Sequence, residues 1–323
     1  MYRLTMQVAA LVAGLLLTSA PVLASGFAYI SNAADNSLSI INTNSNTVVS
    51  TVVVGTGPFG VAVAPDGKTV YTANLYDNTV SVIDAISRTL VDTISVGNWP
   101  FGLDVLPDGS ELYVANFLDS TVSVIDTSTN TVTATVPAGT NSRAVGVLPD
   151  SSAVYIVNNN ADTVSVIDTA THLVVDTVTV GDQPRGIAVS PDGSTAYVAN
   201  TEGDTLSVID TATNTVTTTI SVGTGPIGVS VHPSGSEVYV GNRDSANLYV
   251  IDTSTNTVID TVSVGASPRG VTAHPSGSTV FISNSGSDNV SVVDTTTHTV
   301  IDTITVGQSP YAFGQFIGPP PGC

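Results

Sequence analysis

Residues 58–99 read PFGVAVAPDGKTVYTANLYDNTVSVIDAISRTLVDTISVGNW. Four runs in this stretch, Phe59 to Ala64, Thr69 to Asn74, Thr79 to Ile83 and Thr89 to Val96, are rich in Val, Ile, Thr and Tyr. Each is bounded by Gly, Pro, Asp or Asn, which predicts four short strands joined by tight turns. Pro65-Asp66-Gly67 supplies the first turn, and Asp84, whose carboxylate can accept from nearby amides, supplies the third.

The stretch is one copy of a repeat. Pro-x-Gly begins at Pro58, Pro100, Pro184, Pro226 and Pro268, with degenerate copies at Ser142 and Pro310, and the step is 42 residues. An Asn closes the second run at Asn32, Asn74, Asn116, Asn158, Asn200, Asn242 and Asn284, and a third series runs from Asn42 through Asp84, Asp126, Asp168, Asp210 and Asp252 to Asp294. Three landmarks in one register give seven copies without an insertion. A period near 42 with four strands per unit predicts an all-β, seven-bladed β-propeller with four antiparallel strands per blade. The chain enters inside a blade: residues 27 to 54 hold only three strands. The missing innermost strand is expected at Tyr311 to Ile317, so that the C-terminal strand completes the N-terminal blade and no sheet edge is left open.

Tyr113-Val114-Ala115-Asn116 and Tyr197-Val198-Ala199-Asn200 resemble the tyrosine-valine-threonine-asparagine signature of the YVTN propeller family, and the Pro-x-Gly and Pro-Asp-Gly marks resemble that family's others. The resemblance runs over residues 27 to 318. It implies the propeller fold and settings as varied as archaeal surface layers and bacterial periplasmic proteins, with few members tied to a chemistry.

Residues 1–24 have another character. Arg3 is followed by an apolar run, Val8 to Leu17, and Val22-Leu23-Ala24 forms a small-x-small end before Ser25, the pattern of a secretory signal peptide. Export to a periplasm, a cell surface or the medium is therefore expected. The domain plan is a signal peptide over 1–24, the propeller over 25–318 and a Pro-rich tail over 319–323. The run is too short to span a bilayer, so no membrane insertion is expected. Cys323 is the only cysteine, which leaves stability to sheet packing.

The full chain carries a formal charge of −19, and loss of residues 1–24 leaves 6 basic against 26 acidic side chains, a charge of −20. Such a balance argues against nucleic acid, whose affinity comes from neutralised phosphates. Four of the six remaining basic residues, Arg143, Arg185, Arg243 and Arg269, fall in segments expected on one face, where the inter-blade loops and the second-to-third-strand loops emerge. The position after the Pro landmark carries, in turn, Phe59, Phe101, Arg143, Arg185, Ile227, Arg269 and Tyr311. The Arg residues suit a carboxylate or phosphate, and Phe59, Trp99, Phe101 and Phe117 suit an apolar partner. The bland alternative pairs each Arg with an acid such as Asp182 or Asp244 and packs each Phe on the next blade.

Asp104 is the one acid within an innermost strand, in a slot otherwise held by Ala62, Gly146, Ala188, Ser230, Thr272 and Gly314. It is a candidate ligand-facing group in the channel. The histidines occupy turn slots shared with Asn, Ala or Ser, and no spacing for zinc, calcium, a glycine-rich phosphate loop or haem attachment occurs, so neither metal nor cofactor is expected. The expected function is a non-catalytic binding propeller whose top face takes a protein, a glycan or a small anionic ligand. The alternatives are a lactonase- or lyase-like propeller enzyme and an accessory protein of a quinone-dependent oxidoreductase. The binding set is Phe59, Trp99, Phe101, Asp104, Arg143, Arg185, Arg269 and Tyr311.

Overall fold

The computed structural model describes residues 26–319; the expected signal peptide, Cys323 and all but the first residue of the Pro-rich tail lie outside them. Seven four-stranded antiparallel sheets stand in a ring. In the second blade the strands are Pro58–Val63, Thr69–Asn74, Thr79–Asp84 and Thr89–Ser95, counted outward from the axis, and the same lengths recur at each step of 42. The second and third strands are buried on both faces, and the innermost are buried except where they line the axial channel, so all three read as near-continuous Val, Ile, Ala and Tyr. The outermost strand is exposed except for one position facing the core, Ile94 in this blade. A bulge between the third and fourth strands, at Val82/Ile83 here, recurs in every blade and adds twist at the exposed edge.

The repeated Asn has a structural task. All seven are fully buried at the ends of second strands. Asn200 Nδ2 donates to Thr205 Oγ1 at 3.0 Å and Ser207 Oγ at 2.9 Å, tying two strands together. A glycine ending the preceding blade lies flat on this amide: a Cβ at Gly181 would stand 2.6 Å from the Asn200 carboxamide, and Gly55, Gly97, Gly139, Gly223 and Gly265 repeat the contact. Gly307 does the same to Asn32, joining the last blade to the first.

The first blade closes as expected in outline and differs in detail. Its innermost position is taken by the C-terminal segment, yet only Ile317–Gly318 forms strand, pairing with Phe27 and Ala28. Residues 310–316 depart from strand geometry because Ala312 and Gly314 adopt φ of +42° and +107°. The departure sends Phe313 into the channel. Its backbone is held by the second blade, with Val61 N donating to Phe313 O at 2.8 Å and Phe313 N to Phe59 O at 3.2 Å. Its ring reaches the far side, 3.7 Å from where a Cβ on Gly186 would lie, and packs in a buried cluster with Ala144 and Ile227. Phe313 thus partitions the axial channel.

Candidate functional site at the upper mouth of the channel

Each innermost strand is led to the axis by a loop whose last residue before the landmark has left-handed φ: Gly57, Trp99, Asn141, Gln183, Gly225, Ser267 and Ser309. These turns are latched by the blade before. Trp99 N donates to Asn78 Oδ1 at 3.0 Å, Gln183 N to Asp162 Oδ1 at 2.8 Å and Ser309 N to Asp288 Oδ1 at 2.8 Å. The residue after the landmark is therefore placed at the mouth on a rigid frame in every blade. Trp99 stands in this strained slot, where two other blades use glycine.

The ring of seven splits into two arcs. On one side an aromatic row runs through Tyr311, Phe59, Phe101, Phe117, Trp99 and Tyr76, with successive centroids 4.1, 4.9, 5.5, 6.4 and 6.4 Å apart. Phe59 and Phe101 are nearly covered, at 9% and 8% exposure, and form a floor. The outer end is open: Tyr76 is 61%, Leu118 52% and Trp99 38% exposed.

On the other side stand the guanidinium groups. Arg143 stacks on Phe101, its Cζ 4.2 Å from the ring centroid, and lies 5.9 Å from that of Phe117. Burial, reinforced by repulsion from Arg185, Arg269 and Arg243, pushes its pKa down to about 9, still protonated at neutral pH. Burial likewise lowers Arg185 and Arg269. Arg269 stacks on Tyr311 at 5.0 Å and donates through Nε to Ser285 Oγ at 3.2 Å. Acid pairing is partial. Arg243 makes a bidentate pair with Asp244, both contacts at 2.6 Å, and Arg185 reaches Glu202 at 3.8 Å. Among the described residues Arg143 and Arg269 have no carboxylate within ion-pair distance, and the Nε groups of Arg143 and Arg185 are buried without an acceptor. Buried donors left open in this way, on rigid strands, are what an anion would satisfy.

Seven of the eight residues expected at the site are therefore gathered at the mouth, although two of the aromatics are mostly floor. Asp104 is not among them. It lies three residues further along the strand that carries Phe101, roughly 10 Å deeper at about 3.3 Å per residue. Phe313 separates it from the guanidinium groups, and it lines a chamber that opens at the opposite face. The sequence had one signal for this, its offset from the landmark. Tyr76, Phe117 and Arg243, each in a loop between second and third strands, also belong to the arrangement.

The histidines are accounted for by the turns. His172 and His298 take the left-handed position held elsewhere by Asn46, Asn130, Asn214 and Asn256, and each faces an acid of the preceding blade, His172 Nε2 to Glu111 at 3.0 Å and His298 Nε2 to Glu237 at 3.4 Å.

The chain is a β-propeller by family comparison as well as by structure. A family model described as YNCE-like beta-propeller matches residues 103–193 and 137–233, and one described as Lactonase, 7-bladed beta-propeller matches residues 211–304. No curated protein matches the sequence. Among solved structures, the Kuenenia stuttgartiensis hydrazine synthase chain superposes with a TM-score of 0.76 at 23% identity, covering 82% of this chain and 91% of that one. A functionally unknown protein from Desulfotomaculum acetoxidans DSM 771 gives 0.78 at 17% identity, covering 90% and 100%. At these identities the likeness is one of fold.

Proposed function

We propose that this protein is an exported propeller of the YVTN kind that binds, without catalysis, an anion bearing an apolar body. The carboxylate or phosphate meets Arg143, Arg185 and Arg269, and the apolar part lies along Trp99 and Tyr76. The observation that carries the reading is the gathering of guanidinium groups at one mouth of a strongly acidic chain, two of them lacking an acid partner among the described residues. Blade packing alone does not need them: Phe59, Phe101 and Ile227 fill the same position in other blades. Like charges held together against burial repel one another, and an incoming anion relieves that repulsion and supplies acceptors to the open Nε groups. The ligand is recognised by its charged end, whether free in solution or displayed on a protein terminus or an acidic glycan.

The lactonase-described match spans only residues 211–304, which bring Arg243 and Arg269 to the mouth and no other member of the arc. It supports the fold and not that chemistry. An acid and base pair at the axis would support an enzyme; here two carboxylates near the mouth, Asp244 and Glu202, are each engaged with an arginine.

The test is calorimetric titration of the full chain with phenylacetate, citrate and inorganic phosphate. Replacement of Arg143, Arg185 and Arg269 by Gln should weaken the best of these at least about tenfold, and Trp99→Ala should weaken phenylacetate alone. Equal binding by the triple variant, or binding of none of the three anions by the unaltered chain, overturns the proposal.

A further inference from the structure

Below Phe313 the channel widens into a chamber of about 480 Å³ that opens on the face opposite the arginines. That volume falls in the range of small-molecule sites. Its wall is the small and branched apolar side chains of the innermost strands, and among the described residues lining it Asp104 is the only one with an ionisable side chain. We propose that this lower chamber is a second binding site, for a small organic cation of the primary alkylammonium class, with the ammonium on the Asp104 carboxylate and the hydrocarbon against the wall.

The charge on Asp104 exceeds what blade packing requires. The equivalent residue two of the other blades use is a hydroxyl that clips the next innermost strand: Ser230 Oγ accepts from Ala273 N at 2.9 Å, and Thr272 Oγ1 donates to Gly314 O at 3.0 Å. Asp104 Oδ1 accepts from Val105 N at 3.0 Å, and the Val147 amide, the counterpart of Ala273, also faces the carboxyl. A serine makes that clip without a charge, and Ala188 lines the chamber from the same slot with no clip at all.

The entrance favours a cation as well. The rim is built from the turns that follow the innermost strands, and its prolines, Pro65, Pro107, Pro149, Pro191, Pro233 and Pro275, have no N–H to offer an anion. Beside them stand Asp66, which is paired with Lys68 at 3.4 Å, and Asp108, Asp150 and Asp192. Bonds from serine side chains hold the last three below the ordinary carboxylate range, so they are ionised and their field at the mouth draws positive charge inward. A hard divalent ion would want six or more oxygen ligands, which one carboxylate on an apolar wall does not supply. Burial pushes the Asp104 carboxyl up to about 7 against the opposing Val105 and Val147 amides, so an arriving ammonium also favours its ionisation.

Calorimetric titration of the full chain with n-butylammonium chloride at about pH 8, above the Asp104 titration, tests this. The expected result is one site per chain, weakened at least about tenfold in Asp104→Asn and in Asp104→Ala, with neutral n-butanol binding weaker by a similar factor. Alanine is the residue of Ala62 and Ala188 in this slot, so that variant keeps the blade. The chain lacking Arg143, Arg185 and Arg269 should bind n-butylammonium normally, which separates this site from the anion site. Undiminished binding by both Asp104 variants, equal affinity for n-butanol, full competition by equimolar sodium chloride, or no binding at all would each overturn the proposal.

Discussion

Replacing Asp104 by Asn should make the protein more stable, by an amount that grows as pH rises from the ordinary carboxylate value of 3.8 toward about 7. The group titrates near 3.8 in an unfolded chain and at about 7 in the folded one, because burial disfavours its charged form. Between those values the folded state holds a proton that the unfolded state has released. Stability is therefore full below the unfolded value and falls as pH rises through the folded one. At about 1.36 kcal/mol per pH unit the separation amounts to about 4 kcal/mol, a ceiling that water entering through the chamber mouth lowers. Asparagine keeps an acceptor for the Val105 amide and cannot ionise. With an unfolding entropy of about 2.1 cal/mol/K per residue, a chain of this size gains up to about 6 °C in melting temperature. Scanning calorimetry of both proteins at about pH 4.5 and pH 8 gives a difference of differences in which the turn aspartates cancel, their depressed carboxyls acting equally in both chains. A variant whose advantage at about pH 8 is no larger than at about pH 4.5 would refute the burial argument.

Other outcomes follow from the frame and the mouth. Gly181→Ala drives a Cβ to within 2.6 Å of the Asn200 carboxamide and should cost about 1–3 kcal/mol, read from urea unfolding; a loss under about 0.5 kcal/mol would show that the contact yields freely. Trp99 is the only tryptophan, so intrinsic emission reports on the upper face alone. Phenylacetate should shift it and n-butylammonium should leave it unchanged, and the reverse pattern would exchange the two sites. Phe313→Ala removes the partition and should lower stability by about 3–5 kcal/mol while letting longer alkylammonium chains bind, checked by thermal melts and by titration with n-octylammonium.

The blade count, the strand order and the closure of the first blade by the far end of the chain were legible because every landmark keeps one register. The same register made the seven residues at the mouth legible, since Arg143 and Phe101 share a slot whose place in a strand is fixed. What was not legible depends on contacts between blades. The glycine series beginning at Gly55 looks like ordinary turn composition until it is seen lying on Asn74, because its requirement comes from the neighbouring blade and not from φ. The strand expected over Tyr311 to Ile317 failed where Ala312 and Gly314 turn the backbone, and Ala144, in the slot of Ala312, stays within a strand, so the residue types do not reveal that Phe313 crosses the axis. For that reason Asp104 was grouped with arginines from which a phenyl ring separates it.

The seam between Phe27–Ala28 and Ile317–Gly318 has a consequence for how the molecule comes together. Among the described residues every other strand pairing joins neighbours in the chain, whereas this one closes a loop of nearly the whole protein, at an entropic cost on the order of 5 kcal/mol. Contacts so distant in sequence form late. The sheets should stack one after another into an open arc whose first blade stays a three-stranded fragment, its inner edge bare, until the segment from Pro310 onward is made and threads down the axis. Assembly is thus ordered by synthesis itself, and the residues that partition the channel are also the ones that finish the ring.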